Sequence, residues 1–276
     1  MNNVLVLGSA GQVGAYLVQA LDKNGYNYST FDIAAAPFQD LRRHSDYLED
    51  LIKESDFVFF LAFDVGVSRY LSKYQHTFEF IDNNIKLMDN TFSLLHKYNK
   101  KFIFASSQMS NMSYSPYGVL KAVGEQYTKV LNGRTVKFWN VYGIEHDLEK
   151  SHVITDFIIK ARDTGIIDML TDGQEEREFL YADDCSNALI AVMKNFDEIN
   201  KDAELHITSF YPTKIIEIAR IIANRIGARI IPSDKKDTVQ MDKRNQPDEF
   251  ILNFWKPETS LQDGIHKIIK AMTNEV

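Results

Sequence analysis

Short apolar runs alternate with longer amphipathic ones over the first two-thirds of the chain. The apolar runs are Val4–Leu7, Tyr28–Ile33, Phe57–Phe63, Lys101–Ala105 and Thr135–Trp139. Each predicts a buried strand of a parallel sheet. Helical patterns fill the gaps, over Gln12–Asp22, His44–Ile52, Phe78–Tyr98 and Tyr117–Leu131. This alternation predicts a doubly wound α/β fold with a parallel sheet. After Tyr142 the pattern loosens. It predicts helices over Val153–Ala161, Asp184–Met193, Thr213–Ile226 and Ser260–Met272, and strands over Ile166–Leu170 and Leu205–Thr208. The stretch Ser233–Pro257 is polar and irregular. Residues 1–150 are therefore expected to form the main domain. Residues 151–276 are expected to form a smaller lobe, interleaved with it, at the C-terminal end of the sheet, where such folds bind ligands.

Composition narrows the function classes. One cysteine, Cys185, among 276 residues excludes a disulfide within the chain and suits a reducing, cytoplasmic setting. The apolar start Val4–Leu7 is too short for a signal segment, and no run approaches a membrane span. The net charge is −7 with basic residues scattered, which argues against nucleic acid as a partner. An anionic ligand then needs local cations or backbone N–H groups. No His, Cys, Asp or Glu cluster has metal-ligand spacing.

The stretch VLVLGSAGQVGAYLVQAL places a glycine turn between a strand and a helix. Gly8, Gly11 and Gly14 allow a tight turn and a close approach of pyrophosphate to the backbone. The helix start at Gln12 and Val13 offers free N–H groups and the positive end of its dipole. A ligand-free tight turn is the plainer alternative, and the strand–turn–helix context favours the cofactor. Asp32 ends the second predicted strand, where a carboxylate accepts from ribose hydroxyls and repels a 2′-phosphate, so NAD is favoured over NADP. Asp40, in the pair Asp40-Leu41, can accept from an adenine amino group or belong to a solvated turn.

Tyr117 and Lys121 stand four residues apart at the start of a helical pattern, so they share a face. A free phenol titrates near about 10, and a neighbouring ammonium favours its phenolate. A tyrosine so tuned exchanges a proton with an alcohol or sugar hydroxyl. Surface placement is the alternative for such a pair taken alone. The run KFIFASSQMS carries a buried strand into Ser106 and Ser107, which either cap a turn or bring a hydroxyl to the substrate oxygen that Tyr117 deprotonates.

Taken together, GSAGQVG, Asp32, Asp40-Leu41, FFLAFDVGV, DNNIKLMDNTFSLL, FIFASS, SPYGVLK, FWNVYG and DGQEEREFLYADD resemble the extended short-chain dehydrogenase/reductases, in particular the nucleotide-sugar epimerase/dehydratase group. The resemblance covers nearly the whole chain. It implies a Rossmann-like main domain with a substrate-binding lobe. Tyr117 would be the acid/base, Lys121 its partner and ligand of the nicotinamide ribose, and Ser107 the donor to the substrate oxygen. Gly8, Gly11, Gln12, Val13, Gly14, Asp32, Asp40, Leu41 and Ala62 would hold NAD. Asn140, Arg177 and Arg244 would hold the diphosphate region of the substrate, where guanidinium groups bind bidentately. For Arg244 a solvated loop charge is the equal alternative. Asn84 matches a family position but also suits helix packing. By analogy the protein would be a homodimer through the helices at Phe78–Tyr98 and Tyr117–Leu131.

The chain also departs from its relatives. Gln108 and Met109 follow Ser107 where dehydrating and decarboxylating members carry an acid, so those reactions are disfavoured. The loop from Ser107 to Tyr117 is short. Cys185 lies in a helical pattern and is expected in the core. Phe63 and Asp64 replace small residues, and Asp64 is expected to cap the next turn. His146 and His152 follow NVYG, and only His152 falls near the expected substrate lobe. The implied activity is that of an NAD-dependent epimerase or 4-oxidoreductase acting at C4 of a nucleotide sugar. The alternatives are a 4-keto-sugar reductase using NAD(P)H and a non-catalytic NAD-binding sensor.

Overall fold

A computed structural model describes residues 3–66, 68–145, 152–236 and 245–273. In chain order the elements are β1 (Asn3–Leu7), α1 (Gln12–Lys23), β2 (Asn27–Phe31), α2 (Asp46–Glu54), β3 (Phe57–Phe60), α3 (Ser68–Tyr74) and α4 (Phe78–Lys97). Then come β4 (Lys101–Ser107), α5 (Pro116–Val130), β5 (Gly133–Phe138), β6 (Asn140–Tyr142), α6 (Val153–Thr164), β7 (Ile166–Asp168) and β8 (Glu176–Tyr181). The chain finishes with α7 (Ala182–Lys194), β9 (Leu205–Ile207), β10 (Pro212–Lys214), α8 (Ile215–Ile226), β11 (Arg229–Ile231) and α9 (Leu261–Thr273).

Six parallel strands form the central sheet in the order β2-β1-β3-β4-β5-β9. Its apolar runs are continuous because both faces are covered. Val4 and Val6 of β1 join Phe57 and Phe59 of β3 beneath α1 and α7. The alternate residues Leu5, Leu7, Val58 and Phe60 face α2, α4 and α5. Strand period and helical stripe thus meet in two cores, one on each side of the sheet. A third core joins β8 to α6, α8 and α9.

The chain crosses back over β1 between β2 and β3. That reversal opens a crevice at the carboxyl ends of β1 and β3, where open α/β sheets take their ligands. The second half of the chain is woven into the first. α7 packs on the main sheet, and β9 pairs with β5 through Val136 and Leu205.

Several element boundaries differ from the expectations. β3 stops at Phe60 rather than Phe63, so Leu61–Val65 turns over the sheet end. The helix expected from Thr213 starts at Ile215, because Pro212–Lys214 forms an antiparallel strand against β8. β8 itself escaped the apolar pattern, since it opens Glu-Arg-Glu and buries Glu178. β11, inside a stretch with no expected element, pairs with β7.

Candidate active site

The glycine turn is a wall made of backbone. Gly8 sits at φ +89°, and a Cβ there would lie 2.6 Å from the backbone nitrogen of Ala62. Gly14, in the first turn of α1, faces the carbonyl oxygen of Gly8, and a Cβ would approach it to 2.0 Å. Gly11 is the N-cap of α1, where a Cβ would meet only ordinary contact at 3.5 Å. Its openness leaves space beside the helix N-terminus. Asp32 follows β2 directly. Its carboxylate accepts from the N–H of Ala10 at 2.9 Å and of Ala34 at 2.8 Å, so it braces the turn and keeps acceptor capacity for a ligand. The side-chain nitrogen of Gln12 is buried with no acceptor among the described residues. A buried donor without a partner at a helix start fits a bound phosphate oxygen.

Asp40 is buried and already engaged. Arg42 donates from Nε and Nη2 to its two oxygens at 2.8 and 2.9 Å. That guanidinium holds the Asp40 carboxyl below the usual range. Arg42 continues to Asn83 at 3.0 Å, and Asn83 donates to Asp64 at 2.9 Å. Asp64 also accepts from the Tyr70 hydroxyl at 2.6 Å. Asn84 acts as a brace for the segment after β3. Its oxygen accepts from the Asp64 N–H at 2.8 Å, and its nitrogen donates to the carbonyls of Asp64 and Phe80 at 3.0 and 2.9 Å.

β4 delivers Ser106 and Ser107 to the same crevice. Ser107 caps a single 3-10 turn, Gln108–Asn111, accepting from the Met109 N–H at 3.2 Å. α5 starts beside that turn because Ser115 is its N-cap and Pro116 its first residue. Gly118 lets the two pack closely, since a Cβ there would sit 2.2 Å from the Met109 carbonyl oxygen. The short loop thus sets Tyr117 beside Ser107 in the cavity wall.

The electrostatics depart from the expectation. Burial pushes the Tyr117 phenol up to about 12, with the Ser107 hydrogen bond pulling the other way. Burial brings Lys121 down to about 7, with Glu125 opposing it. The Lys121 ammonium donates to the Ala105 carbonyl at 2.6 Å and lies 3.6 Å from the centre of the Phe63 ring, against 5.8 Å from that of Tyr117. In this arrangement the lysine does not lower the tyrosine. Desolvation governs both groups, because each sits in a nearly dry wall. Ser106 bonds Glu125 rather than facing a ligand alone.

One continuous cavity of about 1080 Å³ joins these features. It runs from Gly8, Gly11, Gln12, Val13 and Asp32, past Asp40, Leu41 and Ala62, to Ser107, Tyr117 and Lys121, and on to Asn140 and Arg177. Asn140 donates to the Glu178 carbonyl at 3.1 Å, and Arg177 to the Glu176 carbonyl at 2.7 Å. Arg244 and His146 lie outside the described residues. The sequence reading passed over one pair in this cavity. Glu145, nearly buried, accepts from the backbone N–H of His152 at 2.9 Å and contacts the ring Nδ1 of the same residue. Glu145 carries no motif, so only the fold reveals the pair. Gln108 turns away from the cavity, its side-chain oxygen accepting from Asn245 at 2.6 Å. Cys185 is fully buried, as expected, and burial pushes its thiol up. Among the described residues no acid, histidine or cysteine group is placed to hold a metal ion.

Residues 4–207 match the family described as "NAD dependent epimerase/dehydratase family". The chain belongs to that family. Its cofactor, NAD, is the one that the glycine turn and Asp32 predict. The crevice fits a dinucleotide on its own terms, through the crowded glycines, the orphan Gln12 nitrogen and the spare capacity of Asp32. A "Putative UDP-glucose 4-epimerase" of Methanocaldococcus jannaschii is 26% identical over 312 aligned positions, covering 98% of each chain. Among solved structures, an epimerase of Methanothermobacter thermautotrophicus superposes with a TM-score of 0.83 at 19% identity, covering 99% of this chain and 92% of that one. A GDP-6-OMe-4-keto-L-xylo-heptose reductase of C. jejuni gives 0.82 at 18% identity, over 100% of this chain and 98% of the other. At these identities the structural likenesses establish the fold, and the family match establishes the membership.

Proposed function

We propose that this family member oxidises and reduces C4 of a nucleotide sugar, as an epimerase or a 4-oxidoreductase. The observation that carries the reading is that Ser107, Tyr117 and Lys121 line one cavity that continues from the glycine turn to Asn140 and Arg177. NAD, when bound, supplies the two-electron acceptor for the carbon that loses its hydrogen. Gly8, Gly11, Gln12, Val13, Gly14, Asp32, Asp40, Leu41 and Ala62 hold it, with Lys121 at the nicotinamide ribose. Tyr117 exchanges a proton with the sugar 4-oxygen, and Ser107 hydrogen-bonds the same atom. Asn140 and Arg177 take the diphosphate region.

Tyr117 holds its proton at neutral pH, as any phenol does, and burial pushes it further up, to about 12. That form suits protonation of a 4-keto oxygen. The base role in the opposite direction requires the Lys121 ammonium to turn toward the phenol, because a nearby cation favours phenolate. The second reading is a 4-keto-sugar reductase, in which Tyr117 gives its proton to the 4-keto oxygen. Dehydration and decarboxylation are disfavoured, since Gln108 is tied to Asn245 and Met109 carries no ionisable group.

A homodimer is part of the proposal. Val119, Val123, Tyr127 and Val130 expose an apolar stripe on α5, and Ile85 adds to it from α4. No described helix is long and apolar enough to cross a membrane, and the proposed setting is the cytoplasm.

The test starts with the purified protein. Its dinucleotide absorbance and fluorescence are recorded while UDP-, GDP- and dTDP-sugars, including 4-keto sugars, are added and products analysed. An epimer, ketone or reduced sugar from one member of the panel supports the reading and selects the direction. Bound dinucleotide with no turnover on any member favours the non-catalytic sensor or a substrate outside the panel.

A further inference from the structure

Phe63 lines the cavity beside Tyr117 and Lys121. It follows Leu61-Ala62 in the turn beyond β3. Here the ring lies 3.6 Å from the Lys121 ammonium and meets the Tyr117 ring edge-on, 5.8 Å between centres. On its other side the ammonium donates to the Ala105 carbonyl. Lys121 is therefore held between an aromatic face and a carbonyl, and is 3% exposed. Such a contact attracts a cation and excludes water from it.

The backbone around Phe63 is fixed on both sides. The Ala62 N–H donates to the Leu7 carbonyl at 3.0 Å. Asp64 is clamped through its N–H and its carbonyl by the single amide of Asn84. The freedom that remains at this point is rotation of the Phe63 side chain, and the cavity beside it gives the ring room.

We propose that Phe63 is a positioning residue that withholds Lys121 from the dinucleotide until its ring rotates away. The inference rests on the reading that Lys121 binds the nicotinamide ribose. Its consequence is a penalty on NAD affinity set by the fraction of molecules with the ring displaced. The same rotation frees the ammonium to approach the Tyr117 phenol.

The experiment measures binding of NAD and of ADP to the unaltered protein and to Phe63→Ala, Phe63→Tyr, Lys121→Ala and the double variant. ADP spans the glycine-turn half and does not reach Lys121, so it reports on folding and on the rest of the cofactor site. Expected is NAD binding about fivefold tighter in Phe63→Ala, the size of a modest cation–π contact. ADP affinity stays unchanged, Phe63→Tyr matches the unaltered protein, and the gain vanishes in the double variant. Weaker NAD binding in Phe63→Ala would make the ring a wall of the nicotinamide pocket and overturn the proposal. A gain that survives in the double variant, or that ADP shares, would overturn it too. NAD affinity unchanged by Lys121→Ala would instead refute the role given to Lys121, and an unaltered protein that binds ADP but not NAD would refute the cofactor reading itself.

Discussion

The two ends of the cavity are built from different materials. At the glycine turn the wall is main chain, with Gly8, Gly14 and Ala62 so close that added side-chain atoms would overlap backbone. At the far end the wall is side chains, Asn140, Glu145, His152 and Arg177, standing on strands of three and six residues or between elements. A backbone wall fixes the shape of its ligand and tolerates little change. A side-chain wall can be rewritten one residue at a time while the sheet beneath it stays. This contrast explains how one cofactor can serve a family whose members act on different sugars.

The sharpest test of the contrast falls where the two ends meet. Tyr117→Phe removes the oxygen proposed to exchange the proton and leaves both walls standing. Turnover on the sugar identified by the panel is expected to fall about 1000-fold, with NAD affinity retained by fluorescence titration. A variant that keeps even a tenth of the activity would remove Tyr117 from the chemistry. Next in size is Gly14→Ala. The added methyl meets fixed backbone, so a loss of roughly 3 kcal/mol in urea denaturation is expected. A variant of unchanged stability would show that the backbone wall yields after all.

Arg177→Ala probes the opposite wall. Loss of the charged hydrogen bond proposed between Arg177 and the diphosphate is expected to raise KM on the order of tenfold while leaving NAD affinity and the urea midpoint alone. Equal loss of NAD binding would mean that the two walls are not separate. The smallest effect concerns Lys121, whose folded value of about 7 lies below its unfolded 10.5. Between those values the unfolded chain binds more protons, so stability rises with pH through that window and is lost again as pH falls toward 7. Lys121→Met removes this dependence. The variant should gain at least about 1 kcal/mol on the unaltered protein at pH 6 and lose that advantage by pH 10, as read from paired urea curves. A constant difference across pH would show that the lysine is better hydrated than its burial implies.

The same contrast governs what the sequence made legible. The glycine turn, Asp32 and the Tyr117–Lys121 spacing announce themselves because each role depends on local geometry along one strand–helix junction. Strand β8 does not, because Glu178 is polar and yet buried, accepting from Thr208 at 2.9 Å. No periodicity marks such a residue as interior. The upward push on Tyr117 and the downward push on Lys121 were not legible for a related reason. Spacing shows that two groups share a helix face, whereas their protonation depends on Phe63, Ala105 and the dry walls that other segments bring. The Glu145–His152 pair and the Asn245 contact on Gln108 likewise join residues that only tertiary structure brings together.

The late arrival of β9 has a consequence for how the chain reaches this state. Strand β5 obtains its outer neighbour from Leu205–Ile207, after an excursion through β6, α6, β7, β8 and α7. Until that stretch leaves the ribosome, Val136–Phe138 lies along an unpaired edge, the kind that recruits other chains into aggregates. A fragment ending near residue 150 should therefore be sticky rather than autonomous, and chaperone demand during synthesis should fall sharply once residue 207 has emerged.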